Sequence, residues 1–337
     1  MKEKKKLNQN TFLLLVTILL FFVMYAIGCV LFNAQGFAKT QNFLNLFISN
    51  AGLIVIGIGM TIVMITGGID ISVGSFVAMG CMMLAWMMEK GGIGAVPAVI
   101  IVLVTGIVFG LVQGFLVAYM DIQPFIVTLA GMFFARGMTT IVHTDPFNVQ
   151  NKAFVALKDT RVIVPGMGSV NRIGKYVDAY VEIGVIVALL IVVLMFVMLR
   201  WSKLGRAFYA VGGNKQSALM LGINVKRTRF LAQLFSGVLA GIAGYVYFLH
   251  VGSGSASHAT GMEMNAIASS IIGGTLLTGG VGNIIGTFFG VLSLSTIQNI
   301  VSSAGLDQAW WTGITIAAML CLFLVIQSIV MARKNRG

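Results

Sequence analysis

The sequence predicts an all-α polytopic membrane protein with about ten transmembrane helices, and three observations predict it. Hydrophobic residues make up 58% of the chain and charged ones only 9%, against roughly 25% charged in a soluble domain. The apolar residues fall into successive runs close to the ~20 residues a helix needs to cross a hydrocarbon core. The basic residues, which give a net charge of +12, gather in segments between those runs. That clustering is the mark of membrane topology and no sign of a nucleic-acid partner. The chain reads as a single transmembrane domain over residues 1–337.

In order, residues 1–6 carry four lysines and precede a first apolar run at 12–32. That run is too long for a signal-peptide core and Asn33-Ala34-Gln35 is a poor cleavage site, so an uncleaved first span is expected. A second span at 45–66 and a third at 69–88 are joined only by Gly67-Gly68. After the turn at 89–94 comes a fourth span at 96–118. It ends at Asp121-Ile122-Gln123-Pro124, where proline interrupts the helical pattern. A fifth span covers 125–142, and residues 143–180 form the longest polar segment, with Pro146 and Pro165. The sixth span, 181–199, leads into a basic segment at 200–229. A seventh span at 230–250, a Ser/Gly-rich loop at 251–261 and an eighth span at 264–277 follow. Spans at 283–302 and 309–331 complete ten. The eighth is short and flanked by glycine.

Lysine and arginine placement sets the orientation. Residues 1–6, the segment 200–229 and the tail with Arg333, Lys334 and Arg336 share one side if there are ten spans. That side is expected to be the cytoplasm, with both termini inside. Residues 143–180 then form an extracytoplasmic loop, whose five basic residues are largely offset by Asp145, Asp159 and Asp178.

A faint internal repeat accompanies this layout. Gly106, Gly110 and Gly114 recur at spacing four in the fourth span, and Gly282, Gly286 and Gly290 do so at the ninth. Such glycines lie on one helix face and let two backbones approach. Their equivalent places suggest spans 2–5 and 7–10 as inverted copies, an arrangement typical of transporters.

The basic segment 200–229 holds Arg200, Lys203, Arg206, Lys215, Lys226, Arg227 and Arg229 and no carboxylate. Within it Asn214 suits an N-cap, residues 215–221 a short helix, and Gly222 a left-handed stop. Two readings are open: a docking handle for a soluble partner, or a loop that is basic because cytoplasmic loops are. The residue pattern by itself favours the second.

The chain offers little for catalysis. No phosphate-binding GxxxxGK[ST] loop occurs, and Gly174-Lys175-Tyr176 is the nearest fragment. Cys29, Cys81 and Cys321 are scattered through apolar runs, and His143, His250 and His258 show no metal-ligand spacing. Ionisable groups at membrane depth cost about 2.5–3.5 kcal/mol each on insertion scales. Arg136 lies well inside the fifth span, where it is expected to satisfy backbone carbonyls or to snorkel outward rather than to bind an anion. Asp70 is expected to cap the third span, with Ser72 and Ser75 following, and Glu263 opens the eighth. So few buried acids argue against an ion-coupled secondary transporter, the alternative reading, and point to energy from a partner.

Four stretches carry a family resemblance: ITGGIDISVGS (65–75), QPFIVTLAGMFFARG (123–137), YAVGGNKQSALMLGIN (209–224) and EMNAIASSIIGGTLLTGGVGNIIGT (263–287). From about residue 45 to 324 the chain resembles the permease subunits of bacterial ATP-binding-cassette importers for simple sugars. These are the ribose, galactose and galactofuranose type within the branched-chain amino-acid permease superfamily. The Trp310-Trp311-Thr312 triplet and LAGMFFARG lean toward the galactofuranose branch. Thr66 and Ile71 stand where the family more often has serine and leucine.

The resemblance implies a type II importer-like permease that moves a monosaccharide across the cytoplasmic membrane. An amino-acid permease of the same fold is a further alternative. ATP hydrolysis would occur in a partner ATPase, expected to carry tandem cassettes, so the chain itself would be no enzyme and bind no cofactor, Mg-ATP staying with the partner. An extracytoplasmic sugar-binding protein and a second permease, identical or related, complete the expected assembly in the lipid bilayer. The family's ATPase-coupling segment falls on Gly212, Gly213, Asn214, Ala218, Gly222, Ile223 and Asn224, which promotes the docking reading of 200–229. Polar residues on spans two, three and eight, namely Asn50, Thr66, Asp70, Asn265 and Ser269, are the expected substrate path.

Overall fold

The computed structural model describes residues 9–170, 176–306 and 308–334. The lysines of 1–6, Gly174-Lys175 and Arg336 lie outside the described residues, as do the side chains of Arg333 and Lys334. The first half contains α1 (Gln9–Leu31), α2 (Thr40–Ile65), α3 (Val73–Glu89), α4 (Ala95–Ala118) and α5 (Pro124–Val142). Then come β1 (Phe147–Asn148), α6 (Lys152–Lys158), β2 (Arg161–Val170) and β3 (Tyr176–Glu182). The second half begins with α7 (Ile183–Trp201), α8 (Lys203–Gly213), α9 (Lys215–Met220) and α10 (Val225–Val251). It ends with β4 (Ser253–Gly254), α11 (Met262–Ile272), α12 (Ile284–Ser303) and α13 (Ala309–Lys334).

Among the described residues seven helices, α1, α2, α4, α5, α7, α10 and α12, are long and apolar enough to cross a membrane. The third and eighth expected spans are shorter: α3 has 17 residues and α11 only 11. Gly273 and Gly274 end α11, and the chain continues to Asn283 as turns, which hydropathy cannot distinguish from helix. The joint between α2 and α3 is likewise longer than Gly67-Gly68, running from Thr66 to Ser72.

The all-α expectation is corrected at one end of the molecule. The polar segment after α5 holds α6 and an antiparallel β2–β3 hairpin, and β1 pairs antiparallel with the distant β4, Phe147 opposite Gly254 and Asn148 opposite Ser253. The alternation of Val177, Ala179 and Val181 is the strand signal that the polar composition obscured. Arg161 stacks over the Tyr180 ring at 4.2 Å, and Tyr180 N–H donates to Gln41 Oε1 at 2.9 Å, tying the hairpin to the start of α2.

The helix α2 is the axis of the packing. Every residue from Asn50 to Ile65 is buried, against α7, α10, α11 and α12. The outer helices present apolar side chains instead: Val30, Val96, Phe133, Ile141 and Leu190 are all exposed. An apolar exterior around a polar-containing core is what lipid as solvent permits. The repeated glycines are packing points. A Cβ at Gly106 or Gly110 would meet the backbone of α10, one at Gly290 the backbone of α11 at Ser269, and one at Gly286 the backbone of Gly273 just past its end. Gly282 precedes α12 and is not part of its face.

Contacts sort the connections into two ends. At one, Arg229 pairs with Asp121 at 2.8 Å, and Gly280 N–H donates to Ile65 O at 2.9 Å. At the other, His250 meets Glu182 at 3.0 Å, Gln150 N–H donates to Glu89 at 2.8 Å, and Lys90 meets His143.

Candidate functional site

The break after α2 is the most polar point of the interior. Thr66 turns its hydroxyl back to Val63 O at 2.7 Å, so the helix closes its last turn with a side chain. Gly67 takes φ +81. Asp70, 1% exposed, accepts at Oδ1 from Ser72 N–H at 3.0 Å and Ser72 Oγ–H at 2.5 Å. Its Oδ2 accepts from Ser236 Oγ–H of α10 at 2.6 Å. The expected cap of α3 is therefore corrected: no side chain caps that helix, and the carboxylate fastens the break to α10. Gln113 of α4 donates to Ser72 Oγ at 2.9 Å. Thr128 of α5 accepts from Ile71 N–H at 3.3 Å and donates to Ile69 O at 3.2 Å. Three surrounding helices, α4, α5 and α10, thus hold the non-helical break between α2 and α3.

The other expected path residues lie apart from this knot. Asn50 Nδ2 donates to Leu46 O at 2.9 Å and to Ser295 Oγ at 2.8 Å, joining α2 to α12. Ser269 is fully buried and donates to Ala266 O at 3.0 Å. Asn265 is half-buried on the same helix. Beside Ser269 runs a hydroxyl network the residue types did not announce: Thr61 Oγ1 contacts Ser270 Oγ at 3.1 Å and Thr287 Oγ1 at 2.5 Å. Arg136 meets carbonyls as expected, donating from Nη1 to Ala256 O and His258 O, each at 2.9 Å.

The second element of the site is the 200–229 segment. Ser202 Oγ accepts from Gly205 N–H and opens α8. Asn214 is extended, with φ −158, and its Oδ1 accepts from Ser217 N–H at 2.9 Å, capping α9 where the sequence places a cap. Gly222 adopts φ +74. Its N–H donates to Leu219 O at 2.9 Å and Ile223 N–H to Ala218 O at 3.0 Å, closing the helix end. Asn224 Oδ1 accepts from Arg227 N–H at 2.9 Å and caps α10. Ala218 is buried, whereas Leu219, Met220 and Leu221 are 58%, 87% and 77% exposed. An apolar tip on a polar, basic end was not picked out from the sequence, although the tripeptide LML is plain in it.

The two elements touch through glycine. A Cβ at Gly212, near the end of α8, would overlap Ile65 O, the last residue of α2. One at Gly279 would lie 2.9 Å from Gly212 O and 3.0 Å from Gly67 N, and one at Gly280 would lie 2.7 Å from Gly213 Cα. Two helix ends, those of α2 and α8, and the turn between α11 and α12 therefore meet backbone to backbone. Nearby, Arg229 beside Asp121 holds that exposed carboxyl below the usual carboxylate range, chiefly by its hydrogen bond. This pair ties the α4–α5 turn to the first turn of α10.

A bundle with buried breaks, a lipid-compatible exterior and a capped helix at one end defines a multi-pass membrane permease. The comparisons name the family. Residues 42–324 match the family described as "Branched-chain amino acid transport system / permease component", and the chain belongs to it. It is similar to the fructose import permease protein FruG of Bifidobacterium longum, with 36% identity over 98% of this chain and 95% of the relative. The inner membrane ABC transporter permease protein YjfF of Escherichia coli is 36% identical over 93% and 91%. The ribose import permease protein RbsC of Bacillus subtilis is 33% identical over 81% and 80%. No solved structure matches the chain.

Proposed function

We propose that this chain is the membrane-spanning permease subunit of an ATP-binding-cassette importer that moves a monosaccharide across the cytoplasmic membrane. The family and the sugar-permease relatives support the class. The observation that carries the mechanism is the glycine junction, through which α8 bears directly on the end of α2 at the α2–α3 break.

In this reading the end carrying α9 is cytoplasmic, the chain crosses ten times, and both termini lie inside. The short helices α3 and α11 serve as spans together with the irregular segments beside them. The packing of α4 on α10 and of α12 on α2 has the symmetry expected of inverted halves. A tandem-cassette ATPase, holding Mg-ATP, receives α9 in a groove, with Leu219, Met220 and Leu221 as the inserted apolar contacts. Its ATP-driven movement displaces α8, and the close backbone contacts leave no slack before Gly67 and the break follow. A second permease completes the path, and a sugar-binding protein docks at the end formed by α6 and the β2–β3 hairpin. Thr66, Asp70, Asn50, Asn265 and Ser269 carry hydroxyl, amide and carboxylate groups of the kind that bind sugar hydroxyls transiently. All but Asn265 are buried and hydrogen-bonded within the protein, so in this reading they meet the sugar only when the helices part.

The test is Gly222→Val. Nothing lies within 4 Å of a Cβ at this position, so the cost is conformational, of order 1 kcal/mol or more for a β-branched residue at positive φ. The variant is expected to reach the membrane at normal levels, with sugar uptake reduced at least about tenfold and ATPase retention or stimulation lost. Normal expression together with normal uptake and normal ATPase retention would remove the coupling role.

A further inference from the structure

A cavity of about 510 Å³ opens between α1, α7, α8 and the start of α12. Its polar lining includes Arg200, Arg206 and Tyr209, and its apolar walls include Leu14, Phe196 and Ile285. No acidic residue lines it, and among the described residues neither arginine takes part in an ion pair. Arg206 Nη1 donates to Trp201 O at 3.2 Å, which leaves most of its five donor hydrogens free. Tyr209 donates to Gly282 O at 2.9 Å, fixing the ring against the turn before α12. Burial pushes its phenol up to about 12, so the ring is a neutral wall.

The placement is as telling as the composition. Arg200 lies in the last turn of α7, whose preceding residues are apolar throughout, and Trp201, 64% exposed, follows it. Arginine and tryptophan at the end of an apolar helix mark headgroup level. The cavity thus presents guanidinium groups at headgroup depth and a hydrocarbon wall beneath them. A neutral sugar has no use for two cations, and a free nucleotide has none for the wall.

We infer that this cavity binds an anionic phospholipid, its phosphodiester held by Arg200 and Arg206 and one acyl chain lying along Leu14, Phe196 and Ile285. Basic pockets between membrane helices hold such headgroups by charge-assisted hydrogen bonds. The inference rests on the membrane placement of the 200–229 end argued above, and not on the identity of the transported sugar.

The experiment uses the full-length chain purified with its assembly in detergent, offered phosphatidylglycerol or phosphatidylcholine, and read by native mass spectrometry. Wild type is expected to retain phosphatidylglycerol over phosphatidylcholine. Arg200→Gln with Arg206→Gln should lower that retention about tenfold or more, the scale of one or two charged hydrogen bonds. Lys203→Gln, on the same helix but outside the lining, should leave it unchanged, and Arg200→Lys with Arg206→Lys should keep much of it. If the double glutamine variant does not assemble, Arg206→Gln alone carries the same comparison, because that side chain is exposed. Equal retention in the glutamine variant, equal retention of phosphatidylcholine, or an equal effect of Lys203→Gln would each overturn the inference. So would displacement of the lipid by inorganic phosphate at matching concentration, which would mark a phosphate site. Lipid retention is read without sugar or ATP, so it can fail while uptake is normal, or hold while the cargo assignment fails.

Discussion

Asp70 shows what a single residue does in this interior. A buried carboxylate satisfied by three donors, two from Ser72 and one from Ser236, is a clasp between the α2–α3 break and α10. Removing it orphans those donors, and each buried unsatisfied group costs roughly 1–3 kcal/mol. Asp70→Ala is therefore expected to lower the stability of the detergent-solubilised protein by about 2–5 kcal/mol. Asp70→Asn keeps one acceptor, and the serine hydroxyls can rotate to meet its amide, so it should cost less than half as much. Thermal unfolding of both variants in one detergent makes the comparison. An alanine variant as stable as wild type would show that the contact holds nothing together. The sequence placed Asp70 beside a break but not inside it, because the residues that surround it come from Gln113, Thr128 and Ser236, far along the chain.

Elements were legible where a local signal ends them. Pro124 opens α5 as the sequence requires, and Asn214, Gly222 and Asn224 delimit α9 and the start of α10 through hydrogen bonds to their own neighbours. The unwinding at Gly273-Gly274 was not legible, since the turns from 273 to 283 are closed by contacts with Ile65, Gly212 and Tyr209. Within the 200–229 segment the apolar tip of α9 yields its own prediction. A residue as exposed as Met220, 87%, contributes little to folding, so Met220→Asp should leave expression and membrane insertion intact. If it fills an apolar groove on the ATPase, burying a charge there should weaken association about tenfold to a hundredfold, as loss of an interface anchor does. Co-purification of the ATPase with the tagged permease reads this directly. Undiminished recovery would place the docking surface elsewhere on the segment.

At the scale of the whole molecule, the two ends differ in kind. One has the basic segment, the glycine junction and the lipid cavity; the other has α6, the β2–β3 hairpin and the β1–β4 pair. That difference gives orientation a physical meaning beyond the count of positive charges. In the proposed orientation the basic end reaches the ATPase, and the hairpin end meets whatever delivers the substrate. With Cys29, Cys81 and Cys321 replaced by alanine or serine, a single cysteine at Lys215 lies on the exposed side of α9. A cysteine at Asp159, between α6 and β2, lies at the opposite end. An impermeant thiol reagent applied to intact cells should label the second and spare the first, and lysed cells should show labelling of both. Labelling at Lys215 in intact cells with none at Asp159 would invert the molecule, and the docking role of α9 would fall with it. Labelling of both in intact cells would mean that the two ends share one side of the membrane, which no arrangement of these helices with an odd number of crossings between residues 159 and 215 allows. The single long helix between them, α7, makes that number odd, so the pair of sites tests the crossing itself as well as its direction.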